Sequence, residues 1–358
     1  MKIQPNTNLC QLFNIRYPIF LAGMAGGPGT VKLAAAVSNA GGLGTIGAAY
    51  MQPNDIRSAI HEIRKLTKYP FAVNLFATSN SDHASEISEV QSELNKFRKI
   101  LGIPLAKEDG ITSTSIFDEQ FDILIEEKVP VISTAFGLLT DNMIAQANAL
   151  GIRVVSMVTS VQEALLAEQA GCDAIVAQGT EAGGHRGTFN VKDKAMGNNI
   201  GTIALVPQIV DQVNIPVIAS GGIMDGRGLV AALVLGAQGV QMGTRFLTSN
   251  ESGAHISYQE KLLKSTEEST VITNSFSGRP ARGIKNEFIE HWENIDIEPL
   301  PFPIQNTITR DIRNAAASQN NTDYMSLWAG QGLRMLTSGQ GAEEIIEEIL
   351  EEARAILS

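Results

Sequence analysis

Short apolar runs alternate with helix-patterned stretches through residues 17–243, and no other feature restricts the fold as tightly. The runs fall at 17–23, 43–48, 71–76, 129–134, 152–158, 173–177, 216–220 and 239–243, most of them bounded by Gly or Pro. Each has the length of a buried strand. Between them lie segments with helix signals. Thr30 stands at a cap position before a small-residue run ended by Gly41 and Gly42. Ile56, Ile60, Ile63 and Leu66 line one helical face, and Ser160 with Glu163 has capping-box spacing. Further helices are expected at 118–128, 140–150, 203–213 and 225–235. Eight strands alternating with helices over about 230 residues predict a (β/α)8 TIM barrel. An open doubly wound sheet would call for a dinucleotide turn after the first strand, and Gly23-Met24-Ala25-Gly26-Gly27 is not that pattern.

Two stretches break the rhythm. Residues 77–117 are too long for a strand-to-helix loop, and Ile87, Val90, Leu94, Phe97 and Leu101 recur at helical spacing from about residue 85. Residues 246–309 contain Arg279, Arg282 and Lys285 followed by Pro299, Pro301 and Pro303. The expected organisation is a barrel over 1–245 with a helical insertion at 77–117, and a lid over the barrel mouth at 246–309. Helices in 310–358 are expected to pack back on the barrel, so that the insertions form a smaller subdomain covering the substrate.

Barrels place their chemistry at the carboxyl ends of the strands. Met24, Asn74, Gln178, Gly222 and the run Gln241, Met242, Gly243, Thr244 all fall there. Asn74 interrupts an apolar strand, and a buried amide without partners costs about 1–3 kcal/mol. It therefore bonds either a neighbouring strand or a polar ligand. After the sixth strand comes Gln178-Gly179-Thr180-Glu181-Ala182-Gly183-Gly184-His185-Arg186-Gly187, whose four glycines leave the main chain open around His185. A glycine-rich turn with a solvated histidine would also fit. Arg186 either attracts an anion or braces the loop. Gly221-Gly222 and Gly243-Thr244 occupy the usual phosphate position of a barrel, with main-chain N–H groups, one hydroxyl and no cation in either pair. Ordinary glycine turns are the alternative. The histidines at 61, 83, 185, 255 and 291 form no metal motif, and no G-x-S-x-G elbow occurs. A phosphate-bearing organic cofactor beside His185 uses the most features.

Composition narrows the partners. A net charge of −11 in 358 residues argues against nucleic acid. Only Cys10 and Cys172 are present, which excludes a disulfide framework and fits a reducing compartment. No 18-residue apolar span and no charged-then-apolar leader pattern occurs. A cytoplasmic protein without membrane contact, and a possible homo-oligomer, is the expectation.

The loop 178–187, the string Pro216-Val217-Ile218-Ala219-Ser220-Gly221-Gly222-Ile223-Met224-Asp225-Gly226-Arg227 and the string 239–246 together resemble the nitronate monooxygenases, formerly called 2-nitropropane dioxygenases. So do Gly23-Met24-Ala25-Gly26, Ser277-Gly278-Arg279-Pro280-Ala281-Arg282-Gly283 and Trp328-Ala329-Gly330-Gln331, and the resemblance covers nearly the whole chain. The flavin-dependent enoyl-acyl-carrier-protein reductases share several of these motifs. The family resemblance implies FMN as cofactor and O2 as electron acceptor. It implies that an alkyl nitronate, propionate 3-nitronate foremost, is oxidised through an anionic flavosemiquinone to a carbonyl compound and nitrite, as detoxification. It further implies that Asn74 and Gln178 bond the flavin, that Gly183 and Met24 line it, and that Gly222 and Gln241 to Thr244 hold the phosphate end. His185 would face the substrate as the catalytic residue. A reductase using NAD(P)H and a non-catalytic flavin-binding protein are the alternatives.

Overall fold

The computed structural model describes residues 7–78, 87–107 and 115–358. Its strands are, in chain order, β1 (Ile19–Leu21), β2 (Gly44–Gly47), β3 (Phe71–Phe76), β4 (Val131–Ala135), β5 (Arg153–Val158), β6 (Ala174–Gln178), β7 (Gly184–His185), β8 (Val217–Ser220), β9 (Gly239–Met242), β10 (Thr270–Thr273) and β11 (Ala281–Ile284). Eight of them form one parallel sheet in the order β1-β9-β8-β6-β5-β4-β3-β2. The ring closes where Leu43 bridges Phe20, with Leu43 N–H donating to Ile19 O and Leu21 N–H donating to Leu43 O, both at 2.9 Å. This is the (β/α)8 barrel, and all eight predicted strands are in it.

The caps are where the side chains put them. Thr30 accepts from Leu33 N–H at 2.9 Å, Thr140 from Met143 N–H at 3.3 Å and Asp225 from Gly228 N–H at 3.1 Å. The Ser160 cap differs from a capping box in one respect. Ser160 Oγ takes Glu163 N–H at 3.2 Å, but the Glu163 carboxylate binds Thr159 N–H at 2.6 Å and Phe189 N–H at 2.9 Å. Glu163 therefore ties its helix to the loop that follows His185.

Alternation along the strands grades the barrel interior from apolar to polar. Phe20, Leu43, Ala72, Val131, Val155 and Ile218 pack together inside, and the helix Asn8–Phe13 plugs the amino end with Leu9 and Phe13. Two residues further along β3, β4, β6 and β8 the same inward face carries Asn74, Ser133, Gln178 and Ser220. The polar interruption of the third strand is thus one member of a ring at the carboxyl end.

A second hydrophobic core lies over that end. It joins Ile87–Leu101 to residues from 247 to 333, with Phe276, Phe288, Ile304 and Ile312 at its centre. The predicted beginning of the first insertion helix, near residue 85, lies outside the described residues. Arg98, 1% exposed, cements the two segments. Its Nε lies 2.7 Å from Asp311 Oδ2 and its Nη2 donates to Ile308 O at 2.7 Å. The helix Arg310–Ser318 belongs to this core, whereas Ala342–Leu357 lies on the barrel against the helices Gly226–Val234 and Val31–Asn39. Gly226 permits the close approach, because a Cβ there would sit 2.5 Å from Ala353 N. A small antiparallel sheet missing from the sequence reading, β10-β11-β7, stitches the cover to the glycine loop by pairing Ala281 with His185. No helix among the described residues is long and apolar enough to cross a membrane.

Candidate active site

Barrel and cover enclose a cavity of about 530 Å³ at the carboxyl ends of the strands. Met24, Asn74, Gln178, Gly183, His185, Gly222, Gln241, Met242, Gly243 and Thr244 all border it. They do so in different ways. Asn74 Nδ2 donates to Ser133 Oγ at 3.0 Å, its register partner on β4. Gln178 Nε2 donates to His185 O at 2.9 Å, and its Oε1 accepts Gly187 N–H at 2.8 Å. That carboxamide staples the glycine loop to β6. Met242 is 2% exposed and its side chain packs in the outer core, so only its main chain serves the cavity. Gly183 is required by packing, since a Cβ would fall 2.4 Å from Gly330 N. Gly221 and Gly222 take φ of +119° and +70°, which turns the main chain after β8 around the cavity floor.

His185 is held from three sides. Phe76, Phe136 and Trp328 stand with ring centroids 5.8, 5.5 and 5.4 Å away. Its Nε2 lies 2.8 Å from Ser277 Oγ, on the turn between β10 and β11. What surface it retains faces the cavity. Burial, then the positive charges of Arg279 and Arg313, push its pKa down from 6.5 to about 3. The imidazole is therefore neutral in the folded protein at ordinary pH. Because the unfolded chain takes the proton near pH 6.5, the stabilisation is complete above that value and is lost as pH falls towards 3. Denaturant melts at pH 7.5 and pH 5 should show a larger loss for the wild type than for His185→Gln. Equal losses would mean that His185 is not held neutral.

Several residues of the site were not singled out from the sequence. Phe136 has a φ of +75°, in the region that side chains avoid, at a cost of about 1–3 kcal/mol. Its ring meets the Arg279 guanidinium with Cζ 4.0 Å from the ring centre. Arg279 is 7% exposed, and burial lowers its pKa to about 10. Arg313 borders the cavity from the cover, donating to Asn306 O at 2.6 Å and Oδ1 at 3.0 Å. Its Nε is buried without a partner, and it forms no ion pair among the described residues. Ser277 and Arg279 sit in a conspicuous Gly-, Pro- and Arg-rich string. Their reach to His185 depends on β11 pairing with the loop, which nothing local encodes. Arg186, by contrast, braces. Fully buried, it donates to Gly179 O at 2.7 Å and Gln178 O at 2.9 Å.

The residues fit a flavin nucleotide. The volume is in the range of small-molecule sites. Gln241 Nε2 is a buried donor with no partner, on the inner face of β9. The main chain of 221–222 and 243–244 is open, and Glu181, the acidic group nearest to it, is occupied by Thr202 N–H at 2.9 Å and Thr202 Oγ1 at 2.8 Å.

Comparison with known proteins gives the family and the fold. Residues 6–352 match the family described as nitronate monooxygenase. A probable nitronate monooxygenase of Staphylococcus saprophyticus is 44% identical over 356 residues, covering 99% of both chains. One from Staphylococcus aureus strain Newman is 45% identical over 352 residues, covering 98% of both. Among solved structures, nitroalkane oxidase from Streptomyces ansochromogenes superposes with a TM-score of 0.89 at 36% identity, covering 98% of this chain and 99% of that one. FabK from Thermotoga maritima gives a TM-score of 0.78 at 34% identity, covering 98% and 97%.

Proposed function

We propose, from the premise that this chain belongs to the nitronate monooxygenase family, that it uses FMN and O2 to oxidise alkyl nitronates to carbonyl compounds and nitrite. Propionate 3-nitronate is the substrate we assign, in a detoxifying role in the cytoplasm. The observation that carries this reading is the pairing, in one cavity, of a neutral His185 with the cationic Arg313, which forms no ion pair among the described residues.

FMN, when bound, supplies the electron acceptor for the nitronate. Gln241 and the main chain of 221–222 and 243–244 would hold its phosphate end, and Asn74 and Gln178 its ring side. The protein does the rest. Arg279 and Arg313 make the chamber positive without protonating His185, which draws in an anion. Phe76, Phe136 and Trp328 exclude water around the reacting carbon and fit a short alkyl chain. His185 faces the reacting carbon and handles its proton. The carboxylate of propionate 3-nitronate would meet Arg313.

Arg313→Gln should therefore raise KM for propionate 3-nitronate by roughly tenfold to a hundredfold, the worth of a charged hydrogen bond. Ethyl nitronate, which lacks the carboxylate, should change little. Equal effects on both would remove Arg313 from substrate recognition.

Anaerobic mixing tests the whole reading. Purified protein should carry a flavin spectrum that changes at once with propionate 3-nitronate and is not bleached by NADH. Bleaching by NADH with no response to the nitronate would instead place the chain with the flavin-dependent enoyl-acyl-carrier-protein reductases, whose motifs it shares.

A further inference from the structure

Ser277 is placed at His185 by the cover, not by the barrel, and its hydroxyl is the only hydrogen-bond partner of the imidazole ring among the described residues. The hydroxyl is 2% exposed with its residue and has three neighbours. It lies 2.8 Å from His185 Nε2, 3.1 Å from Arg279 O and 3.3 Å from Arg279 N. A serine oxygen offers one hydrogen and two lone pairs. Arg279 N–H must donate to it, and Arg279 O can only accept from it. All three neighbours are satisfied in one arrangement alone, with the serine hydrogen on Arg279 O and the lone pair receiving Nε2–H. If the serine hydrogen turned to Nε2 instead, the buried Arg279 carbonyl would lose that donor.

We propose that Ser277 is a positioning residue that locks His185 in the Nε2–H tautomer, so that bare Nδ1 is the single port through which protons enter and leave the site. This rests on the reading above in which His185 faces the substrate. The consequence concerns the form of substrate accepted. A neutral nitroalkane can bind with its α C–H towards Nδ1. The C–H bond breaks, its electron pair stays on the substrate as the nitronate, and the proton goes to Nδ1. A nitronate taken from solution reaches the same ion pair only together with a proton. The groups that face His185, Arg279 from the turn after β10 and Arg313 from Arg310–Ser318, both oppose that proton until the anion is present. The locked tautomer therefore opens the site to neutral nitroalkanes, which carry their own proton in, as well as to the nitronates assigned above.

The test is nitrogen-15 NMR of holoprotein labelled at histidine, with the His185 resonances identified by their loss in His185→Gln. The wild type should show a protonated Nε2 and an unprotonated Nδ1. Ser277→Ala should mix the tautomers and lower kcat/KM for nitroethane about tenfold, with flavin content unchanged. Ser277→Thr, which keeps the hydroxyl, should restore both signatures and confirm that the hydroxyl acts and not the packing. A wild-type signal from Nδ1–H would overturn the proposal, as would an unchanged tautomer in Ser277→Ala. The NMR reading needs no turnover. A locked tautomer in a protein inert to nitro compounds would uphold the role of Ser277 and refute the assigned reaction instead.

Discussion

Replacing His185 with asparagine is expected to lower kcat/KM for nitronates and nitroalkanes by about two to four orders of magnitude, the range of a positioned acid–base group. The flavin should stay bound. Asparagine is polar and small enough to be tolerated between Phe76, Phe136 and Trp328, but its amide neither takes nor returns a proton. Its shorter side chain also withdraws from Ser277 Oγ, now 2.8 Å from Nε2. The lost activity should not be recovered at any pH, because the other titratable groups of the wall are engaged: His255 Nδ1 accepts Ser257 N–H at 3.2 Å, Tyr258 bonds Trp328 O, and burial pushes Tyr50 up to about 12. Glu181 is bound to Thr202, and the other charged groups nearby are arginines. An asparagine variant with the wild-type rate would take His185 out of the chemistry and leave the loop a structural element only.

The second large effect is expected at Gly222. Its φ of +70° lies where asparagine and aspartate are the best tolerated side chains, and the nearest neighbour to an added Cβ is Glu181 Cβ at 3.4 Å. Gly222→Asn and Gly222→Asp therefore make a matched pair, alike in shape and different in charge. A carboxylate roughly 5 Å from a phosphate, at an effective dielectric constant of about 20, costs about 3 kcal/mol per unit charge. Gly222→Asp should lose flavin affinity by at least about a hundredfold and be purified colourless, while Gly222→Asn keeps much of its flavin. Measured Kd values for FMN decide the matter. If both variants lose flavin equally, shape is the cause and the phosphate lies elsewhere.

How much of this was legible beforehand follows from the range over which each interaction acts. The barrel was legible because strands and caps are local. Thr30, Thr140 and Asp225 announce their helices within three residues. The gathering of Asn74, Gln178, Gly222 and Gln241 at one cavity was legible too, since barrel topology sends the carboxyl end of every strand to one face. The side chains that set the electronic state of His185 were not. Ser277, Arg279 and Arg313 reach it from the cover, roughly 90 to 130 residues along the chain; the pairing of β11 with the glycine loop brings the first two there, and packing of the helix Arg310–Ser318 in the second core brings Arg313. The divided cover was half legible. Helical spacing revealed Ile87–Leu101, but nothing in that helix says that Arg98 will seek Asp311. Phe136 gives no signal at all, because its strained backbone is imposed by its surroundings.

The helix Ala342–Leu357 fills the gap in the outer ring between Gly226–Val234 and Val31–Asn39, yet about 100 residues of cover separate it from β9. At roughly 5–20 residues per second, translation takes about 5–20 s to travel from one to the other. Throughout that interval the nascent chain has all eight strands but only seven of its flanking helices. The apolar seam that Ile345, Ile346 and Ile349 will cover stays open to water and to chaperones. A chain lacking this helix would leave that apolar stripe bare on the outside of the barrel.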